Sequence, residues 1–153
     1  MLLFPNKMID LVFPQPEFRM RIWREQRQIF DIIRKRWVAL QPEEWVRQNL
    51  IHWLIRHHKI QPAFIAVEKT ISIQGNSYRF DLLIYDKEHL PWMIIECKAP
   101  DVILDDKSLM QVLNYQQILP IKYWMIVNGI ECHLAEKKAG NPNWISSFPV
   151  FDL

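Results

Sequence analysis

The chain has 153 residues, 50% of them hydrophobic and 24% charged, with 3 glycines, 7 tryptophans and 2 cysteines. This composition excludes a disordered or collagen-like chain, and Cys97 and Cys132 are too few for a disulfide framework or a zinc finger. The net charge of +2 is unevenly spread: residues 1–62 carry +5 and residues 63–153 carry −3.

Residues 1–16 are apolar but interrupted by Pro5, Lys7, Asp10, Pro14 and Pro16. They read as an extended arm, with neither the layout of a secretory leader nor the roughly 20 apolar residues of a membrane span. A soluble cytoplasmic protein is the expectation. In 18–23, Phe18, Met20 and Ile22 alternate with Arg19, Arg21 and Trp23. That is strand periodicity, and with residues 28–31 it predicts a hairpin; a helix is the alternative. Arg19, Arg21, Arg24, Arg27, Arg34, Lys35 and Arg36 are interleaved there with Trp23, Phe30 and Trp37. Such a mixture suits a nucleic-acid backbone, although arginines also cover apolar neighbours on an ordinary solvated face.

Pro42 followed by Glu43 and Glu44 is a favourable helix opening. Val46, Leu50, Trp53 and Leu54 then form one helical stripe, and basic residues 56–59 close it. Segments 63–73, 77–85 and 91–99 read as strands, 105–118 as a helix ended by Pro120, and 122–128 and 130–136 as a last pair of strands. The predicted fold is α/β, a mixed central sheet flanked by helices. Residues 1–41 are read as an arm and basic extension and 42–153 as the core of one structural domain.

Two of the strands carry charges where apolar residues belong: Asp81 within SYRFDLLIY, and Glu96 and Lys98 at the end of PWMIIECKA. Glu96 and Lys98 share a strand face about 6–7 Å apart. A hairpin register that pairs Tyr85 with Trp92 also pairs Asp81 with Glu96, placing two carboxylates about 5 Å apart beside a lysine. A shift of one residue would separate them. Two close carboxylates favour a hard cation, Mg²⁺ or Mn²⁺, which could polarise a phosphodiester oxygen. The plainer alternative is a salt-bridge cluster that closes the sheet end.

Asp81 followed by Glu96-Cys97-Lys98 resembles the metal-binding core of the PD-(D/E)XK nuclease superfamily, with Phe80 standing where the motif has proline. EEWVRQNLIHWL, AVEK, RFDLLIYD, PWMIIECKAP, QVLNY and IVNG together resemble the N-terminal nuclease domain of type I restriction-enzyme R subunits, over residues 42–129. The resemblance implies a restriction-endonuclease-like core and Mg²⁺-dependent DNA cleavage. It implies Asp81, Glu96 and the Cys97 carbonyl as metal ligands, with Glu44 as the helix acid and Glu43 as its less favoured alternative. Lys98 would be the catalytic lysine, and Gln111 and Tyr115 the Gln-x-x-x-Tyr pair, both on one helix face. Outside the resemblance, the basic and aromatic pattern makes Arg19, Arg21, Arg34, Lys35 and Arg36 the residues expected to grip DNA.

No Gly-rich phosphate-binding loop is present, so the expected partners are DNA and a separately encoded helicase or specificity subunit. A homodimer would serve two-strand cleavage. The competing reading is a non-catalytic nucleic-acid-binding or assembly module that keeps the fold. The five histidines lack metal-ligand spacing, Cys97 is expected to face the core, and Trp45 and Trp53 are expected in the core.

Overall fold

In the computed structural model, which describes residues 17–139 and 143–152 apart from the side chains of residues 112, 113 and 115–117, the basic region is a sheet of its own. The arm at 1–16 lies outside the described residues. Strands β1 (Met20–Trp23) and β2 (Gln26–Asp31) form the expected hairpin. Its turn is tighter than the sequence suggests, because Arg24 (φ 48°) and Glu25 (φ 63°) both adopt positive φ, the geometry of a two-residue hairpin turn. A third antiparallel strand, β3 (Arg36–Ala39), joins β2. It is only four residues long and sits inside a run of cations, so its pattern is invisible in the sequence.

Helix α1 (Pro42–His57) begins at the expected proline. A short 3-10 turn, Pro62–Phe64, leads into β4 (Ile65–Ile73), followed by β5 (Asn76–Tyr85) and β6 (Pro91–Cys97). Positive φ at Gln74 and Gly75 closes the β4–β5 hairpin one residue earlier than the Gly75-Asn76 turn expected from the sequence. After β6 come helix α2 (Asp106–Ile118), β7 (Tyr123–Val127), β8 (Cys132–Glu136) and β9 (Asn143–Ile145). These six strands form one sheet in chain order, antiparallel except where β7 runs parallel to β6. That parallel step requires a crossover, which α2 supplies. The fold is therefore α/β with a mixed central sheet and flanking helices, as the sequence predicts, and β9 is a sixth strand beyond the five expected there. Among the described residues no helix is long and apolar enough to cross a membrane.

Strand alternation gives the sheet two apolar faces. Leu82, Ile84, Met93 and Ile95 pack with Val46, Leu50 and Leu54 of α1. Leu83, Ile94, Trp124 and Ile126 pack with Leu109 of α2 and with Leu104 and Leu119 beside it. Trp53 is in the core as expected, but Trp45 is 39% exposed. It lies on the outer side of α1 against Phe18, ring centroids 5.1 Å apart.

Leu54 is fully buried between α1 and the sheet. Leu54→Ala should destabilise the fold by about 2–5 kcal/mol, read from urea denaturation; a cost below about 1 kcal/mol would mean that α1 is not seated on the sheet as described.

Candidate active site

The acidic pair is built by strand register. Leu82 faces Ile95 across β5 and β6, so the next step places Asp81 beside Glu96, close enough for its charge to act on the Glu96 carboxyl. The expected Tyr85–Trp92 pairing is replaced by Tyr85 with Pro91, at an irregularity between Ile84 and Tyr85. Asp86 causes this by tightening the turn: its Oδ1 accepts the Glu88 and Leu90 N–H groups, each at 2.9 Å. The irregularity lies at the far end of the hairpin and leaves the Asp81–Glu96 side intact.

Alternation breaks at Asp81 itself. Phe80 and Leu82 would share a face in a regular strand, yet they belong to opposite cores. Val67 pairs with Leu82 and Lys69 with Phe80, while Glu68 between them has φ 51°. With this local twist Asp81 reaches two groups on the α1 side. Its Oδ2 accepts the Cys97 N–H at 2.8 Å and its Oδ1 accepts Arg47 Nη2 at 2.8 Å. Burial, then the adjacent Asp81 charge, push the Glu96 carboxyl up to about 8. Burial and the Asp81 charge thus both favour the protonated Glu96 carboxyl.

Glu96 and Lys98 open into a cleft of about 230 Å³ lined also by Ser77, Arg79, Phe80, Ser108 and Gln111. The cleft thus brings together Glu96, Lys98 and Gln111 from the sequence-predicted set. Asp81 sits next to Glu96 but is engaged by Arg47 and Cys97. The Tyr115 side chain lies outside the described residues. Cys97 is buried on the α1 side, where burial and then the Asp81 charge raise its thiol well above the usual range, so the thiol is inert.

Glu44 is not part of this group. Its carboxylate is buried and bonded to Arg34, Arg47 and Gln48. The helix acid whose charge acts on Glu96 is its neighbour Glu43, itself raised by burial and by Asp81. Arg34 likewise departs from its expected phosphate-gripping role. Its guanidinium is committed to Asp31 at 2.6 Å, Glu68 at 3.0 Å and Glu44, because its position in the β2–β3 turn aims it inward. Arg19, Arg21, Lys35 and Arg36 are exposed. Sequence reasoning missed Arg47. Its signal was its spacing of three and four residues from Glu44 and Glu43, which is the helical ion-pair spacing.

Among the described residues no three His, Cys, Asp or Glu side chains converge closely enough to hold an ion by themselves. A Mg²⁺-like ion does not require three, since it is commonly held by one or two carboxylates, waters and substrate oxygens. A pair of adjacent carboxyls fits that donor set.

Residues 42–149 match the family described as the type I restriction enzyme R protein N terminus. No curated protein matches the chain. Among solved structures, the chain is similar to a fragment described as the HsdR subunit of a type I restriction enzyme from Vibrio vulnificus YJ016. Identity is 21% and the TM-score 0.43, over 56% of this chain and 19% of that one. The chain therefore spans about a fifth of that relative.

The raised Glu96 carboxyl sets a pH dependence. Between the usual carboxyl value of 4.5 and about 8, the folded chain keeps a proton that the unfolded chain has released. Stability contributed by this group is complete below 4.5 and is lost as pH rises through about 8. In chelator, Glu96→Gln should flatten this slope and raise Tm at alkaline pH by roughly 3–6 °C. Calorimetric scans at acidic and alkaline pH check it, and the same Tm loss in both proteins would exclude a proton on Glu96.

Proposed function

The chain belongs to the family of the type I restriction enzyme R protein N terminus, and on that premise we propose that it is a metal-dependent DNA endonuclease of PD-(D/E)XK type. The observation that carries the reading is the Asp81–Glu96 carboxyl pair beside a cleft that also holds Lys98. Two carboxylates and a lysine at the end of adjacent strands are more than closing a sheet requires. Two adjacent, largely buried acids are costly for a fold that does not use them.

The proposed ligands are Asp81, Glu96 and the Cys97 carbonyl, with Glu43 rather than Glu44 as the helix acid. Mg²⁺ or Mn²⁺ there would polarise a phosphodiester oxygen and lower the pKa of a water. The chain's own residues supply the rest. Arg47 and the Cys97 amide hold Asp81 in a single orientation. Lys98, half-buried at the cleft, is placed to orient the attacking water and to offset charge growing on the phosphate. Gln111, exposed on α2 at the cleft wall, can donate its amide N–H to a phosphate oxygen. Water adds to phosphorus, one P–O bond breaks, and the leaving oxygen takes a proton. The working partners of this reading are DNA and a separately encoded helicase or specificity subunit, with a homodimer bringing a second site to the opposite strand.

Calorimetric titration with Mn²⁺ should show saturable binding that Asp81→Asn and Glu96→Gln abolish. Lys98→Ala should keep Mn²⁺ and DNA binding while slowing cleavage by on the order of 10²–10³. No Mn²⁺ uptake by the wild type, even with duplex DNA present, would replace this reading with a binding module that keeps the fold.

A further inference from the structure

The sheet formed by β1–β3 lies outside the matched residues 42–149, and the site described above touches only its buried Asp31 and Arg34. Its pairings sort the remaining side chains. Arg21 faces Gln28, Trp23 faces Gln26 and Phe30 faces Trp37, which puts Arg21, Trp23, Phe30 and Trp37 on one face. The Phe30 N–H donates to the Arg19 carbonyl at 2.9 Å, adding Arg19 to that face. Cations and rings alternate across it. The Arg19 guanidinium lies 4.3 Å from the Phe30 ring, and that of Arg21 lies 4.4 Å from Trp37 and 5.2 Å from Trp23. Arg24 sits over Trp23 from the turn, at 5.8 Å. Trp23 remains 53% exposed.

We propose that this face is a platform for single-stranded DNA. Arginines alone would serve a duplex, whose phosphates and groove edges are all that a sheet surface can reach. The exposed Trp23 ring and the half-buried Phe30 and Trp37 rings are more than phosphate contacts require. Such rings bind unpaired bases, whose faces stack on aromatic side chains without regard to sequence while neighbouring cations neutralise the phosphates. Rings and guanidinium groups held within one nucleotide's reach of each other fit that ligand. The charge agrees: on this face and in the adjoining turns the exposed cations Arg19, Arg21, Arg24 and Lys35 outnumber the exposed acid Glu25.

Ion pairs tie the N-terminal sheet to the cleft wall. Arg34, in the β2–β3 turn, bonds Glu68, and Glu68 bonds Arg79 at 3.2 Å, a residue of the cleft wall. Resting on the nuclease reading, the platform names its substrate class as DNA with a single-stranded stretch. The binding itself needs neither metal nor catalysis.

The test is fluorescence anisotropy in EDTA with labelled oligothymidine and a duplex of equal length. Wild type should bind oligothymidine about tenfold more tightly than duplex, and Trp23→Ala should weaken oligothymidine about tenfold, as for one lost stacking contact, with duplex unchanged. Trp37→Phe, which keeps a ring in a half-buried position, should retain most of the affinity. Arg21→Gln should reduce the salt slope by about 0.7. Equal or tighter duplex binding, or a Trp23→Ala protein that folds and binds oligothymidine like wild type, overturns the platform. Oligothymidine binding without cleavage of any DNA in Mn²⁺ would leave the platform standing and end the nuclease reading. Duplex cleavage without single-strand preference would do the reverse.

Discussion

Arg47 carries a charge into the region where α1 meets the sheet, and much of the surrounding geometry follows from compensating it. Its guanidinium is bonded to Glu44 one helical turn back and to Asp81 on β5. Burial lowers its proton affinity, but the two carboxylates more than offset that and raise it. A buried charge is tolerable only when its partners are in place, so Arg47 fixes the position of α1 along the sheet together with the orientation of Asp81. Arg34 repeats the device from the other side, joining Asp31 of β2 to Glu44 and Glu68. Burial would raise the Asp31 carboxyl, yet hydrogen bonds from Arg34 hold it below its usual value. One chain of ion pairs thus connects the N-terminal sheet, α1, β4 and β5.

The placement of the site follows from the single parallel step in the central sheet. β6 and β7 run side by side, and Lys98 leaves the end of β6 with its N–H donated to the Val127 carbonyl at 2.8 Å. The carboxyl ends of parallel strands are where open α/β sheets leave a crevice. Asn128, directly after β7, orders the rim. Its side-chain amide donates to the Val102 carbonyl at 2.9 Å, and its oxygen accepts the Ile130 and Glu131 N–H groups. Lys98 and the loop beyond it are therefore anchored to β7 at both ends.

What the sequence displays is what depends on apolar periodicity. Pro42 with two acids, the stripe of α1 and the alternating strands are legible because burial on one or two faces dictates them. The Asp81–Glu96 side of the β5–β6 hairpin could be counted from the same pattern. Strands β3 and β9, of four and three residues, are too short to show a period. Glu43 and Glu44 could not be told apart, because adjacent helical residues point about 100° from each other and tertiary partners decide which faces the cleft. Arg34 illustrates the same limit. In the text it is one cation among seven, and only the β2–β3 turn, which sends it toward Glu44 and Glu68, separates it from Lys35 and Arg36. The twist at Asp81 depends on Glu68 of another strand and left no local trace.

A nuclease of the proposed kind must bring a polyanion to a place rich in carboxylates. Glu43, Glu44, Glu68, Asp81 and Glu96 all lie in or next to the network, and uncompensated they would repel phosphate. Arg34 and Arg47 neutralise the inner part, where the acids face protein, while Lys98 and Arg79 remain at the cleft. The excess positive charge stands to one side, on β1–β3. That separation lets binding and chemistry be set independently, since cations beside the acids would also compete with a metal ion for them. It further means that the N-terminal sheet is not a detachable handle. Asp31 and Arg34 precede the matched residues 42–149, yet Arg34 is bonded to Glu44 within them. Removing the sheet would leave Glu44 with Arg47 as its one ion-pair partner beside the Gln48 amide, drawing that guanidinium away from Asp81 and loosening the acid on which the pair depends.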